Sequence, residues 1–270
     1  MIVAVDTGGT KTLVTLFSRD GVAGEMIRFP TPKKKSEYLE VLRKTLQSNY
    51  GGQRIEAIVI GMPGIVKDNV VIWCNSLKWK NFDVVHELKG VLGSAPIFIE
   101  NDANLGGLSE TRSRDPVPSS SLYVTISTGI GTGITTHGKI DPGLRLSEGG
   151  RMLVEYGGGI KEWESFASGR AIVEIYGRYA RDINDKPTWD EIADRISRGL
   201  LAAIPLLQTE VIIIGGSIGT YFNRYAKSLE SILVKNLPPH IPCPTILEAQ
   251  HPEEAVIYGC YYHAIDSLDT

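Results

Sequence analysis

Chemistry in this chain is concentrated where buried-looking strands stop. Pro96-Ile97-Phe98-Ile99 is apolar and ends abruptly in Glu100-Asn101-Asp102, after which Ala103, Leu105, Leu108 and Glu110 continue with helical spacing. Asn101 and Asp102 therefore occupy a strand-to-helix turn, the usual place for side chains that meet ligands in α/β sheets. The plainer alternative for Asp102 is the N-cap of that helix, where an aspartate satisfies orphan N–H groups. Two further polar turns follow strands: Asp6-Thr7-Gly8-Gly9-Thr10-Lys11 and Thr128-Gly129-Ile130-Gly131-Thr132-Gly133. Backbone N–H groups at Gly8, Gly9 and Thr10, and at Gly129, Gly131 and Thr132, can approach phosphates closely because glycine leaves no Cβ in the way. Lys11 adds positive charge there, or only decorates a solvated strand. The Asp6 carboxylate beside the first turn suits Mg2+ held through water, since Mg2+ dehydrates reluctantly. An Asx turn is the alternative for that residue.

The elements that must position these residues alternate strand and helix. Residues 2–6 form a short apolar strand, and the first glycine turn leads into a second strand at 12–17, so this is a hairpin and no Walker loop, whose glycines open onto a helix. The turn signal Arg19-Asp20-Gly21-Val22 makes strands one to three an antiparallel meander. A helix over 36–49 follows, with Ser36 as its cap and Tyr38, Leu39, Leu42 and Leu46 on one face. A strand at 55–60 runs into the tight turn Gly61-Met62-Pro63-Gly64, and a short strand at 70–73 precedes Asn75 in a loop rich in Trp and Lys. The charged, then Pro- and Ser-rich stretch 112–121 marks a domain boundary: an N-terminal lobe of 1–114, joined by the C-terminal helix 252–270, and a larger lobe of 115–251. The second lobe repeats the opening pattern of strand, Gly/Thr turn and strand. Two such lobes facing each other would bring both turns to one cleft. Helical spacing covers 161–181 and 188–207, with Trp163, Phe166, Ile172, Ile175 and Tyr176 as one buried stripe. A buried strand at 211–214 ends in Gly215-Gly216-Ser217, and helices over 221–236 and 252–268 flank a last strand near 245–247.

Composition excludes several function classes. The chain has 270 residues, 42% apolar and 22% charged, enough for a sizeable core, and 28 basic against 31 acidic side chains give a net charge of −3. Nothing in that balance asks for nucleic acid or an anionic membrane as partner. Lys33-Lys34-Lys35 is the only basic run and reads as a solvated surface patch. Cys74, Cys243 and Cys260 are odd in number and widely spaced, which predicts reduced thiols, a cytoplasmic location and no structural zinc. The first residues have no basic n-region, and no apolar run reaches membrane-spanning length.

Taken in order, Asp6-Thr7-Gly8-Gly9-Thr10-Lys11, Glu100-Asn101-Asp102-Ala103-Asn104, Thr128-Gly129-Ile130-Gly131-Thr132-Gly133 and Gly215-Gly216 resemble the motifs of the ROK family of sugar kinases, within the actin/hexokinase ATPase superfamily. Each glycine motif alone is weak; four in order along nearly the whole chain are specific. The resemblance implies an α/β, two-lobed actin/hexokinase-like (ribonuclease H-like) fold with mixed sheets and a central cleft. It implies ATP and Mg2+ as co-reactants, a small-molecule sugar as acceptor, and a homodimer. On this likeness Asp102 is the general base for the attacking hydroxyl. Gly64, Asn75, Asn101, Glu148, Arg151 and Glu164 surround the sugar. Asp6, Gly8, Gly9, Thr10, Lys11, Thr128, Gly129, Gly131, Thr132, Gly215 and Gly216 hold the nucleotide and its metal.

The chain departs from the family pattern at one place. Where members carry Glu-x-Gly-His and then a cysteine-rich zinc loop leading into Glu-x-x-Ala-Ser-Gly, this sequence has Ser147-Glu148-Gly149-Gly150-Arg151 and Glu164-Ser165-Phe166-Ala167-Ser168-Gly169, with no cysteine between them. Glu148 and Glu164 are kept, the His is Arg151, and no zinc is expected. An Arg at this place pairs with Glu148 or Glu164 through its planar fork, or hydrogen-bonds a sugar hydroxyl. Alternatives stay open: a kinase for another acceptor such as N-acetylmannosamine or fructose, another donor such as polyphosphate, or a non-catalytic sugar sensor, since the family includes repressors. Those repressors carry a helix-turn-helix ahead of the kinase-like part, and here the first strand is expected from Ile2.

Overall fold

The computed structural model describes residues 1–269. They gather into two compact units, one made of residues 1–109 with the C-terminal stretch from Glu254, the other of residues 110–253. In the first unit β1 (Ile2–Thr7), β2 (Lys11–Phe17) and β3 (Ile27–Pro30) form the expected antiparallel meander. After α1 (Lys35–Tyr50), β4 (Ala57–Met62) lies parallel to β1. A separate three-stranded sheet follows, β5 (Ile65–Lys67), β6 (Val70–Cys74) and β7 (Trp79–Phe82). Then α2 (Val84–Leu88) leads to β8 (Ile97–Asn101), parallel to β4, and α3 (Asp102–Arg112) begins at once. The main sheet runs β3-β2-β1-β4-β8.

The second unit opens on β9 (Ser120–Ile126), β10 (Ile130–Thr136) and β11 (Lys139–Ile140), then a 3-10 turn at Gly149–Arg151 and a hairpin of β12 (Leu153–Tyr156) and β13 (Gly159–Glu162). Helices α4 (Glu164–Ala167), α5 (Gly169–Tyr176) and α6 (Lys186–Leu207) precede β14 (Val211–Gly215). The unit closes with α7 (Gly216–Gly219), α8 (Phe222–Asn236) and β15 (Thr245–Glu248), and its sheet order is β11-β10-β9-β14-β15. Finally α9 (Ala255–Leu268) returns to the first unit. Each unit therefore repeats one plan, a hairpin with a parallel strand added beside its first member, as the repeated strand–turn–strand pattern in the sequence suggested.

Alternation along β1 sorts its side chains to the two faces of the sheet. Val3 and Val5 join Ile58, Ile60 and the α1 residues Tyr38, Leu42 and Leu46 in one core, while Ile2 and Ala4 join Ala57, Val59 and the α9 residues Ile257, Cys260 and Ala264 in another. Both faces of β1 and β4 are covered, which is why these strands read as continuous apolar runs. In the second unit Val124, Ile126, Ile212 and Ile214 pack with Trp163, Trp189, Ile192 and Leu229. Among the described residues no helix is long and apolar enough to cross a membrane.

Several local readings change. Helix α1 starts at Lys35 with Lys34 in the cap position and no side-chain cap bond, so Ser36 lies inside the first turn. Gly61 and Met62 continue β4 and leave only Pro63-Gly64 as the turn, because parallel pairing with β8 extends to Met62 opposite Asn101. The Trp/Lys loop after Asn75 contains β7, whose Trp79 and Phe82 rings pack against Tyr38, one tilted and one edge-on, at centroid separations of 5.0 and 6.3 Å. The stretch 161–181 is not one helix. Residues to Glu162 belong to a hairpin, Ser168 breaks α4 from α5 by accepting the Ala171 N–H at 3.2 Å, and Ile175 stands 44% exposed.

Candidate functional site

Strands β1, β4 and β8 are parallel and in register, Asp6 opposite Gly61 and Gly61 opposite Glu100. Their carboxyl ends therefore share one edge of the first unit's sheet, with Asp6 about 10 Å from Glu100 across two strand spacings. Sequence reasoning placed Asp6 and Asp102 at strand ends without knowing that the ends adjoin. At the β8–α3 junction the polar side chains bond to one another. Asn101 Oδ1 accepts the Asn104 N–H at 3.0 Å, the bond of an N-cap to its third helical residue. Asn101, and not Asp102, caps α3. Asn101 Nδ2 donates to Gly64 O at 2.9 Å and to Asp102 Oδ1 at 3.2 Å, so both its N–H groups are engaged within the protein. Asp102 Oδ1 also accepts the Ala103 N–H at 2.9 Å, which fixes the carboxylate at the positive end of the helix.

Gly64 has φ +89°, and a Cβ there would stand 2.2 Å from Trp73 O, so no other residue fits this turn without rebuilding it. Asn75 is exposed and its Oδ1 accepts Lys78 Nζ at 2.9 Å. Glu100, 1% exposed, was passed over by the sequence reading; its Oε1 accepts the Asn101 N–H at 2.7 Å and Asn104 Nδ2 at 3.0 Å and braces the junction from beneath. Its signs in the sequence are a charge at the end of an apolar strand and its place at the head of the Glu100–Asn104 motif. Because one side chain caps the helix and anchors the Gly64 turn, Asn101→Ala is expected to lower stability by about 1–2 kcal/mol, measurable by urea unfolding.

In the β1–β2 turn, Gly8 donates to Lys11 O at 2.9 Å, leaving Gly9 and Thr10 as its two-residue tip. Their N–H groups take no acceptor among the described residues. Lys11 opens β2 and is exposed. Asp6 is half-buried beside this turn; burial pushes its carboxyl up to about 6, against the pull of the Lys11 charge.

The second unit holds the remaining residues. Its hairpin turn is Ser127-Thr128-Gly129, closed by Ser127 N–H on Gly129 O at 2.9 Å. Gly131 and Thr132 lie one step further, within β10 and paired with Thr125 and Val124. Thr132 is 7% exposed and its hydroxyl accepts the Gly149 N–H at 2.9 Å, which ties the Glu148–Arg151 turn to the strand. Gly216 has φ +77° and a Cβ on it would lie 2.6 Å from Ile126 O; Ser217 N–H then reaches Ser127 Oγ at 3.0 Å, and Gly169 N–H reaches Ser127 O at 2.7 Å. Ser127 thus joins the turn to the starts of α5 and α7, a role its sequence neighbourhood did not announce. A cavity of about 310 Å³ opens at this junction, lined among others by Thr128, Gly169, Ser217 and Tyr221, with Arg181 stacked 4.8 Å from the Tyr179 ring at its rim. A larger cavity of about 610 Å³, in the first unit around Asp83 and His86, contains none of the motif residues.

Glu164 Oε2 accepts the Ile130 N–H at 2.9 Å, and a Cβ on Gly129 would sit 2.3 Å from that oxygen, so the carboxylate lies directly on the glycine turn. Arg151 contacts Glu162 at 2.6 Å and Glu164 at 3.5 Å, and Arg170 reaches Glu164 at 3.7 Å. Of the two partners expected for Arg151, Glu164 is contacted directly, and Glu162, unforeseen, is nearer. Partial burial pushes the Glu148 carboxyl up, with Arg151 opposing and Glu164 adding to the shift. An ion-pair cluster thus occupies the region where the family motif carries its zinc loop. The purified protein is expected to contain no stoichiometric zinc by elemental analysis, and one zinc per chain surviving dialysis against a chelator would contradict this.

A family model described as ROK family matches residues 2–267. The chain belongs to the ROK family. Among its ROK relatives, an N-acetylmannosamine kinase of Escherichia coli (strain SE11) is 26% identical over 245 residues, covering 80% of this chain and 82% of the relative. A ROK glucokinase from Streptomyces griseus, solved in complex with glucose and AMPPNP, superposes with a TM-score of 0.82 at 22% identity, over 98% of this chain and 99% of its own. The ROK hexokinase of Thermus thermophilus gives 0.78 at 24% identity, over 99% of both chains. The fold of this ROK protein is accordingly the actin/hexokinase-like ATPase fold, in mixed sheets, as the motif order implied.

Proposed function

We propose that this protein is an ATP-dependent sugar kinase that phosphorylates a hexose hydroxyl, with Asp102 as general base. The observation that carries the reading is the cap bond from Asn104 N–H to Asn101 Oδ1. With Asn101 capping α3, the carboxylate of Asp102 is not needed for that task and is oriented by Asn101 and Ala103 at a sheet edge. Phosphoryl transfer asks mainly for positioning and charge neutralisation. The acceptor oxygen bonds to the γ-phosphorus as the bridge to the β-phosphate breaks; ADP leaves with that electron pair, and the hydroxyl proton passes to Asp102. Gly64, Asn75, Asn101, Glu148, Arg151 and Glu164 are assigned to the sugar. Asn101 acts there mainly as a positioning residue, because its amide protons are already engaged.

The turns at Gly8–Lys11 and Thr128–Thr132, with Gly215 and Gly216, are assigned to the nucleotide. Gly9 and Thr10 supply the N–H groups that phosphate oxygens would take, whereas Thr132 supports the Glu148 turn. For Mg2+ the donor set fits: one half-buried carboxylate, Asp6, beside a phosphate turn, the remaining positions falling to phosphate oxygens and water. When bound, the ion supplies charge neutralisation on the phosphate chain.

The relatives named above suggest glucose and N-acetylmannosamine as the first acceptors to examine. Hydrogen-bonding side chains of this kind discriminate sharply between polyols, so a coupled ADP-release assay over a hexose panel with Mg-ATP tests the reading. One sugar is expected to raise ADP release well above the sugar-free rate. No stimulation by any hexose, with sugar binding intact, would replace the kinase by a sugar sensor.

A further inference from the structure

One carboxylate of the second unit touches both halves of the proposed chemistry. Glu164 is assigned to the sugar, yet its Oε2 accepts the Ile130 N–H at 2.9 Å, on the turn assigned to the nucleotide. That oxygen is committed, so Oε1 is the one left to meet a ligand. Two guanidinium groups face it, Arg151 at 3.5 Å and Arg170 at 3.7 Å.

The two arginines are held very differently. Arg151 is anchored at 2.6 Å to Glu162 on β13, so its charge stays beside the hairpin. Arg170 has only Glu164 and, at 4.0 Å, Glu174 one turn along α5, and its side chain is 54% exposed. Pairs this long and this exposed are weak, because water screens them and a long side chain must be ordered to keep them. The backbone around Arg170 is nevertheless fixed: Gly169 N–H reaches Ser127 O at 2.7 Å, and Ser168 Oγ caps α5 through the Ala171 N–H at 3.2 Å. A loosely held head on a fixed stem can exchange partners. Arg170 also lines the cavity of about 310 Å³ that holds Thr128 and Ser217. A phosphate there offers a guanidinium paired, charge-assisted hydrogen bonds, which the 3.7 Å contact with Glu164 does not.

We propose that Arg170 is a positioning residue that couples the donor site to the acceptor site. It rests on Glu164 Oε1 in the nucleotide-free protein and swings to the donor phosphates when they arrive. Glu164 then loses a compensating cation and becomes a stronger acceptor for a sugar hydroxyl. By linkage the effect is reciprocal, and a sugar that takes Glu164 releases Arg170 to the nucleotide. The inference rests on the kinase reading for what occupies the two places, and the residue-level claim is the exchange of Arg170 between them.

The test is calorimetric titration of the full chain with glucose, N-acetylmannosamine and the other hexoses of the panel, with and without saturating Mg-AMPPNP. It uses wild type, Arg170→Gln, Arg170→Lys and the control Arg178→Gln, which removes an exposed arginine paired with Asp185 at 3.2 Å; circular dichroism melts establish folding. In wild type the analogue is expected to tighten binding of the accepted sugar about fivefold, the low end of coupling between sites. Arg170→Gln is expected to bind that sugar more tightly than wild type without nucleotide and to gain nothing further from the analogue. Arg170→Lys should keep part of the coupling, and Arg178→Gln all of it. A merely structural Arg170 would instead weaken sugar binding equally in both conditions. That result, a full wild-type coupling in Arg170→Gln, or a wild type whose affinity for every hexose ignores the analogue would overturn the proposal. None of these readouts needs turnover: coupling without ADP release keeps the exchange and removes the kinase reading, and ADP release without coupling does the reverse.

Discussion

Asp102→Asn is expected to lower kcat by roughly 10²–10⁴-fold, the range for loss of a general base, while sugar affinity falls only modestly. The substitution keeps the size of the side chain and an oxygen for the Ala103 N–H, and it removes the oxygen that would take the hydroxyl proton. Stability should be nearly unchanged, because the cap of α3 is Asn101 and stays in place. A folded variant with near-normal turnover would end the assignment, and a variant that loses sugar binding and turnover in parallel would make Asp102 a binding group only.

Asp6→Asn is expected to separate stability from activity. Burial raises the Asp6 carboxyl from its ordinary value of 3.8 to about 6, so between those values the native chain binds a proton that the unfolded chain releases. The associated stability is fully present below about pH 4 and is lost as pH rises through about 6; at neutral pH the charged carboxylate costs on the order of 1–3 kcal/mol. In the metal-free protein the variant should therefore melt higher than wild type at pH 7.5, with the gap closing by pH 4. The same variant should lose most of its Mg-ATP-dependent turnover, since the Asp6 carboxylate beside the phosphate turn is gone. Equal melting temperatures at both pH values would show that the Asp6 carboxyl is not raised in the folded chain.

Much of this molecule was legible in the sequence because its central strands are covered on both faces. Continuous apolar runs at 2–5, 57–60 and 211–214 announced themselves, and the polar residues that end them stood out by contrast. The first glycine turn excluded a Walker loop correctly, since it leads into a hairpin. What escaped was set by tertiary contacts. The division of labour between Asn101 and Asp102 depends on which of two adjacent side chains reaches the Asn104 N–H, and composition cannot decide that. Residues 79–82 looked like a loop because Lys80 and Asn81 stand side by side between the two rings, yet Trp79 and Phe82 find Tyr38 and become core. The 161–181 stretch kept a helical period while the end of β13, Ser168 and the left-handed Gly177 broke it. Arg151 was expected to answer to Glu148 or Glu164, but Glu162 comes within reach only when β13 pairs with β12.

The account stands on phosphoryl transfer to a sugar hydroxyl, and the product reports on it most directly. Mass analysis of candidate sugars after incubation with the protein and Mg-ATP should find one of them heavier by a single phosphoryl group, with ADP formed in equal amount and neither product formed by Asp102→Asn. A sugar that binds by calorimetry, stays unmodified through prolonged incubation and leaves ATP intact would contradict the central claim.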